Sequence, residues 1–166
     1  MSYPRFVVID TNKILASILR PGRVREALFN QPAIIITPRE AWAEAERHIE
    51  EITARKGIPR ERIKGLLEDL KGELITPTGL QDAYIKTAKE IAGEFDSDDW
   101  PFIALALQYN APVWTNDREM IRHSLETRRY KALDTRALEM LLEGKSWRQI
   151  EEYLKERYCP DNKTRC

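Results

Sequence analysis

The chain has 166 residues, which suits one domain that buries about 70% of the surface its unfolded form exposes. Lys plus Arg and Asp plus Glu number 27 each, so the bulk charge predicts no nucleic-acid or membrane partner without a local patch. No apolar run approaches the roughly 18 residues of a membrane span, and the N-terminus lacks a signal-peptide core. We therefore expect a cytoplasmic protein.

Short apolar runs alternate with helical patterns along the chain. The runs predict strands at residues 5–9, 33–36, 73–76, 112–115 and 130–133. Helical spacing predicts helices at 22–30, 38–56, 59–71, 80–93, 98–110, 117–122 and 134–143. Such alternation predicts an α/β fold with a parallel sheet covered by helices on both faces.

The C-terminal region reads as an addition to this domain. Residues 146–158 open with a Ser-x-x-Gln capping box and predict one more helix. We therefore divide the chain into a domain at 1–143 and an appended helix and tail at 144–166. The only cysteines, Cys159 and Cys166, lie in this tail, too few for a disulfide framework and without metal-ligand spacing. A bridge between the two stays open.

Acidic residues follow two of the predicted strands. Asp10 comes directly after "FVVI", and Asp117 ends the stretch "VWTND". Ligands of open parallel sheets bind beyond the carboxyl ends of the strands, which is where both side chains fall. Each residue, taken alone, is equally compatible with an N-cap of the following helix.

Two further acids are selected by their angle on predicted helices. Glu44 lies about 60° from Ala41, on the shoulder of an apolar stripe, whereas its nearest rival, Glu51, lies further from the helix start. Asp99 shares a side with the apolar residues of the next helix, while Asp98 lies at the rim. The alternative for first-turn acids is a favourable interaction with the helix dipole.

Together these positions place Asp10, Glu44, Asp99 and Asp117 at one edge of one sheet. Carboxylates that converge at low dielectric repel one another unless a cation compensates them. We see no Lys or Arg at the strand ends that would do so. A hard divalent ion with oxygen ligands, Mg²⁺ or Mn²⁺, fits this donor set.

Three motifs occur in order along the chain: "DTN" from Asp10, "DSDDWPFIALAL" from Asp96 and "WTND" from Trp114. With these motifs the chain resembles the PIN domain, a metal-dependent nuclease fold, in its stand-alone prokaryotic, VapC-like form. The likeness covers about residues 4–143. It implies a PIN-like three-layer α/β/α sandwich with a central, mostly parallel five-stranded sheet.

The resemblance also implies a function. It carries the catalytic, metal-binding centre of the family onto Asp10, Glu44, Asp99 and Asp117, with Asn12 and Thr115 as supporting polar residues. It implies endonucleolytic cleavage of RNA with Mg²⁺ or Mn²⁺, leaving a 3′-hydroxyl and a 5′-phosphate. Many relatives are toxins held by an antitoxin protein, and relatives often form homodimers, to which apolar residues of "IEEYLKERY" would contribute.

A neutral protein that binds RNA needs local basic residues. The arginines that we expect to flank the acids and contact the RNA backbone are Arg20, Arg23, Arg118, Arg122, Arg128 and Arg129. The alternative is a solvated basic surface. Trp100 is a candidate for stacking on a base, and we interpret His48 and His123 as structural residues.

Two other enzyme and signalling classes fail on their motifs. A haloacid-dehalogenase-type phosphatase needs a second Asp where the chain has Asn12, and a phospho-receiver domain needs paired acids at the first strand end. The remaining alternative is a non-catalytic PIN-like scaffold that binds metal or RNA.

Overall fold

The computed structural model describes residues 3–20 and 22–161. Its sheet has four parallel strands in the spatial order β2-β1-β3-β4. The central strand β1 pairs through Val8 with Ile36 on one side and with Val113 on the other. The strands are β1 (Phe6–Ile9), β2 (Ile34–Ile36), β3 (Val113–Trp114) and β4 (Ala132–Leu133).

The prediction of a strand at residues 73–76 is wrong. A helix continues through Glu73 because its apolar stripe, which includes Leu67 and Leu70, packs into the core. Only Ile75 reaches the sheet, where its N–H donates to the carbonyl of Ile35 at 3.2 Å. The segment therefore adds a single bridge beside β2 instead of a strand.

Helices follow the strands as predicted, and the helix for which Asp10 is a candidate N-cap is also present. The residues after Asp10 form a helix of nine residues that the strand-and-helix prediction left out. The predicted helix at 117–122 extends to residue 127. The helices are α1 (Thr11–Leu19), α2 (Arg23–Asn30), α3 (Arg39–Lys56), α4 (Arg60–Glu73), α5 (Asp82–Ala92), α6 (Trp100–Gln108), α7 (Arg118–Thr127), α8 (Thr135–Leu142) and α9 (Trp147–Tyr158), with a 3₁₀ turn at Ser97–Asp99.

The core lies on both faces of the sheet. Val7, Val8 and Ile9 are fully buried, as expected for a parallel strand covered on two sides. Helix α6 is buried along Pro101–Ala106, which explains why it is apolar nearly all round. The parallel sheet and its flanking helices are consistent with a PIN-like α/β/α sandwich, with four strands where five were predicted.

Helix α9 packs on the rest of the chain. Its apolar residues Ile150 and Leu154 are fully buried, so they belong to the subunit's own core and are not available for a dimer interface. The hydroxyls of Tyr153 and Tyr158 both donate to Oδ2 of Asp134, at 2.8 and 2.7 Å. The proposed division at residue 143 and dimerisation itself stay predictions. Any statement on a Cys159–Cys166 bridge lies outside the described residues, since Cys166 is not among them.

None of the helices in residues 3–20 and 22–161 has the length and apolar character that crossing a bilayer requires.

Candidate functional site

Asp10 begins the candidate site at the carboxyl end of β1. It is the N-cap of α1, and its Oδ1 accepts the backbone N–H of Lys13 at 2.9 Å. Its Oδ2 accepts the hydroxyl of Thr115, which lies after β3. The side chain is only 7% exposed. Asp10 is therefore a helix cap and, through Thr115, also part of a contact between two strand ends.

Thr115 connects Asp10 to Asp117. While its hydroxyl donates to Asp10, the same oxygen accepts the backbone N–H of Asp117 at 2.9 Å. Asp117 in turn caps α7, since its Oδ1 accepts the N–H groups of Glu119 and Met120 at 3.0 and 3.2 Å. The hydroxyl of Thr115 thus connects the loop after β3, which carries Asp117, to the carboxylate of Asp10 after β1.

Glu44 reaches the same region from α3. Its Oε2 accepts the hydroxyl of Thr11 at 2.9 Å, which places it beside the start of α1. Both Glu44 and the rival Glu51 lie near His48, at 3.9 and 3.5 Å. Glu51, however, is more exposed and also pairs with Arg55 at 3.8 Å.

Asp99 is the carboxylate without a partner. Its Oδ2 is buried and makes no hydrogen bond with the described residues. Burial, and then the negative charges of nearby carboxylates, raise the pKa of Asp99 to about 7. Those carboxylates are Asp96, Asp117, Asp10 and Glu44. Neighbouring Asp98 is exposed.

The pKa of Asp10 is also raised, to about 6. Burial is the main cause, and the charge of Asp117 adds to it. Hydrogen bonds from Thr115 and from the Lys13 backbone, together with the Lys13 ammonium, act in the opposite direction. The four predicted acids therefore share one electrostatic environment, in which burial is the main cause that disfavours the ionised forms of Asp10 and Asp99.

Sequence reasoning missed two residues of this site. Lys13 is 2% exposed, its ammonium donates to Thr135 at 2.9 Å, and its charge acts on Asp10, so the expectation of no basic residue at these strand ends is wrong. Thr11, which the sequence analysis considered only as part of the motif "DTN", donates a hydrogen bond to Glu44. The available signal for Lys13 was a single charge at the start of the stretch "KILASIL", in which Ser17 is the only other polar residue.

The side chains of the four acids are of the type that binds a divalent ion, but they are not close enough together to enclose one. All four side chains offer hard oxygen ligands, and the buried, unpartnered Oδ2 of Asp99 is an orphaned acceptor that a cation would satisfy. However, within residues 3–20 and 22–161, no three His, Cys, Asp or Glu side chains are grouped closely enough to hold a metal ion. The oxygens of Asp10, and one oxygen each of Glu44 and Asp117, are already hydrogen-bonded.

The predicted basic residues do not form one rim. Arg118 and Arg122 lie in the first half of α7, directly after Asp117, where they contact the ring and the carbonyl of Tyr158. Arg128 and Arg129 follow the opposite end of that helix, just before β4.

Arg20 and Arg23 lie beyond the end of α1, at the opposite end of that helix from Asp10. Arg23 forms a two-pronged pair with Glu139, at 2.5 and 2.9 Å. Arg20 is the C-cap of α1, about 15 Å along the helix from the N-cap Asp10.

The other predicted residues have ordinary surroundings. Asn12 is exposed and makes no hydrogen bond with the described acids, whereas Trp100 is half-buried with the Lys89 ammonium 4.9 Å from its ring. His48 pairs with glutamates on its own helix, and His123 is buried against Tyr130 at 2.9 Å.

Comparison with known families agrees with the fold. The family model described as PIN domain matches residues 8–155, nearly the whole chain. The chain belongs to the PIN domain family. PIN domains are generally nucleases, and those nucleases typically use divalent metals. A search of curated proteins finds no match to this sequence.

Proposed function

We propose that this protein is a metal-dependent endoribonuclease whose centre is formed by Asp10, Glu44, Asp99 and Asp117. The observation that carries the proposal is Asp99: a buried carboxylate oxygen without a partner among the described residues, near the negative charges of four other acids. A protein keeps such a costly arrangement when a cation or a reacting group compensates it. Membership of a nuclease family supports the same chemistry.

Mg²⁺ or Mn²⁺ would be held by these carboxylates, and such ions activate water and neutralise phosphate charge in phosphodiester hydrolysis. The chain's own contribution is positioning. Thr115 holds Asp10 and the loop of Asp117 in one arrangement, and Thr11 holds Glu44 against the start of α1. The Lys13 ammonium limits the repulsion at Asp10. These contacts keep the acids at one edge before any ligand arrives.

RNA is the proposed substrate, bound without base recognition. Arg118 directly follows Asp117, and Arg122 lies about one turn further along α7. Both are exposed, and they are the predicted arginines nearest to the acids along the chain. A toxin role with an antitoxin partner and a homodimeric state are narrower forms of the proposal, supported by the family resemblance alone. A toxin predicts growth arrest on expression, relieved by co-expression of its partner.

A non-catalytic scaffold is the second candidate. It is favoured by the fact that, among the described residues, no three potential ligands converge on one point. In that case the acids serve as helix caps, a role that Asp10 and Asp117 demonstrably have.

An RNase assay with Mn²⁺ separates the two candidates. The purified chain should cleave a labelled single-stranded RNA, and Asp10→Asn and Asp99→Asn should lower the rate by at least about a hundredfold. Asp98→Asn, an exposed acid one residue away, is the matched control and should retain activity. End-group analysis should find 5′-phosphates on the products. Equal rates in all four proteins would mean contaminating activity and would refute the nuclease proposal.

A further inference from the structure

A second concave site lies at the opposite edge of the sheet from the acids. It is a cavity of about 660 Å³, within the range of about 300–1,000 Å³ typical of small-molecule sites. Its walls come from the segments that lead into three strands: Tyr3–Phe6 before and into β1, Ala111–Pro112 before β3 and Tyr130–Lys131 before β4. None of the four acids of the candidate nuclease site lines it.

The charge of this cavity has one sign. The charged residues among its described lining are Arg5, Arg128, Arg129 and Lys131, and none of the described lining residues carries a carboxylate. Arg128 and Arg129 are paired with Glu151 and Glu94. Arg5 and Lys131 are exposed and form no ion pair with a described acid. Two cations therefore remain for a ligand in a protein of zero net charge.

Aromatic rings stand beside these cations. The Lys131 ammonium lies 4.4 Å from the centre of the Trp147 ring, and the Arg5 guanidinium lies 5.4 Å from that of Phe6. Tyr109 packs edge-on against Phe6 at 5.1 Å. A planar base that displaced Lys131 from Trp147 would gain a stacking surface and would release the ammonium toward a phosphate.

One detail of the lining indicates a site built for a ligand. The hydroxyl of Tyr3 is buried without a hydrogen-bond partner among the described residues, so a ligand atom would satisfy it. The positive φ values of Asn110 and Arg128, which also line the cavity, belong to the ends of α6 and α7, where such backbone is common, and do not point to a ligand.

We propose that this cavity binds a nucleoside phosphate, with the phosphate between Arg5 and Lys131 and the base on Trp147. Cations alone would fit any anion, and aromatic rings alone any apolar ligand; their combination favours a group that carries both a phosphate and a planar base. The ligand is either a free nucleotide or one nucleotide of an RNA strand. The site has no catalytic role, and its existence does not depend on the proposed nuclease activity.

Calorimetric titration of the full chain in EDTA tests the proposal, because chelation keeps divalent ions from the acids. AMP should bind, and Lys131→Ala and Arg5→Ala should each weaken binding by about tenfold. Trp147→Phe should weaken AMP binding but leave any binding of inorganic phosphate unchanged. Arg62→Ala, an exposed cation of α4 outside the cavity, is the matched control and should bind AMP like the parent chain.

A second arm identifies the source of the nucleotide. A short single-stranded RNA, titrated in the same buffer, should bind in competition with AMP and lose affinity with Lys131→Ala. RNA binding that depends on Lys131, with no measurable AMP binding, assigns the site to an RNA strand; AMP binding without competition assigns it to a free nucleotide. Absence of both, insensitivity to Arg5 and Lys131, or equal affinity for phosphate and AMP would overturn the proposal. Loss of nuclease activity has no bearing on any of these outcomes.

Discussion

The ammonium of Lys13 donates to the hydroxyl of Thr135 at 2.9 Å, although 122 positions separate the two residues in the chain. Both side chains are buried. The charge of Lys13 also acts on Asp10 and Asp134, the acids that follow β1 and β4. Lys13 therefore compensates two carboxylates at the edge of the sheet where the candidate nuclease site lies.

We predict that Lys13→Met destabilises the chain by about 1–3 kcal/mol at pH 8, because it leaves buried carboxylates uncompensated. The loss should be smaller at pH 5. Asp10, with a pKa of about 6 in the folded chain, is mostly protonated there and needs less compensation. Urea unfolding at both pH values measures the difference. Lys64→Met, at an exposed position of α4, is the control; an equal loss for Lys13→Met at pH 5 and pH 8 would mean lost packing and not lost charge.

A second prediction concerns Asp99. Its pKa in the folded chain is about 7, above the ordinary value of 3.8, so folding favours the protonated form. The resulting cost to stability is absent below about pH 4, grows as the pH rises and is complete above pH 7. Asp99→Asn should therefore stabilise the metal-free chain at pH 8 by about 1–2 kcal/mol, after allowance for partial exposure of the carboxyl.

The stabilisation by Asp99→Asn should fall to less than half at pH 5. Thermal unfolding in EDTA at the two pH values provides the measurement. The exposed Asp98→Asn substitution controls for a general change of acidic charge and should leave stability nearly unchanged at both. A destabilised Asp99→Asn chain at pH 8 would contradict the view that this carboxylate is strained by its surroundings.

The sequence alone could select those candidate site residues whose place in the fold depends on the local sequence pattern. Asp10 directly follows β1, and Asp117 comes three residues after the end of β3. Asp99 was selected by its angle on a helix predicted from residue 98, although the structure places it in the 3₁₀ turn just before α6. Sequence reasoning failed where the contact is tertiary. Thr11 touches Glu44 across 33 positions, and no local pattern carries that information.

The same distinction applies to the fold and to the basic residues. The strand predicted at 73–76 competed with a helical stripe through Leu70, and core packing favoured the helix. Arg128 and Arg129 seemed close to Asp117 in sequence, but an intervening helix carries them to the other edge of the sheet. Two residues that are close in sequence can therefore lie far apart in space when a helix separates them, so sequence proximity does not show which charges lie near the acids.

A third prediction tests the ion directly. If the acids hold a divalent cation, Mn²⁺ should raise the melting temperature of the parent chain in a saturable way, by the equivalent of about 2.7 kcal/mol at a hundred times its dissociation constant. Asp10→Asn and Asp99→Asn should abolish this shift, and Asp98→Asn should retain it. A shift of the same size in the Asp99→Asn chain would place any bound ion elsewhere.

The last prediction concerns the two hydroxyls that bind Asp134. Because Tyr153 and Tyr158 donate to the same carboxylate oxygen, either one can satisfy it when the other is removed. We expect Tyr153→Phe and Tyr158→Phe each to lower the free energy of unfolding by about 0.5–1.5 kcal/mol. The double substitution should lower it by more than their sum, because the buried carboxylate of Asp134 then loses both tyrosine hydroxyls. Urea unfolding of both single variants and the double variant measures this coupling, with Tyr84→Phe on α5 as the control. Strict additivity would show that the two hydroxyls act independently and that α9 is held mainly by its apolar residues Ile150 and Leu154.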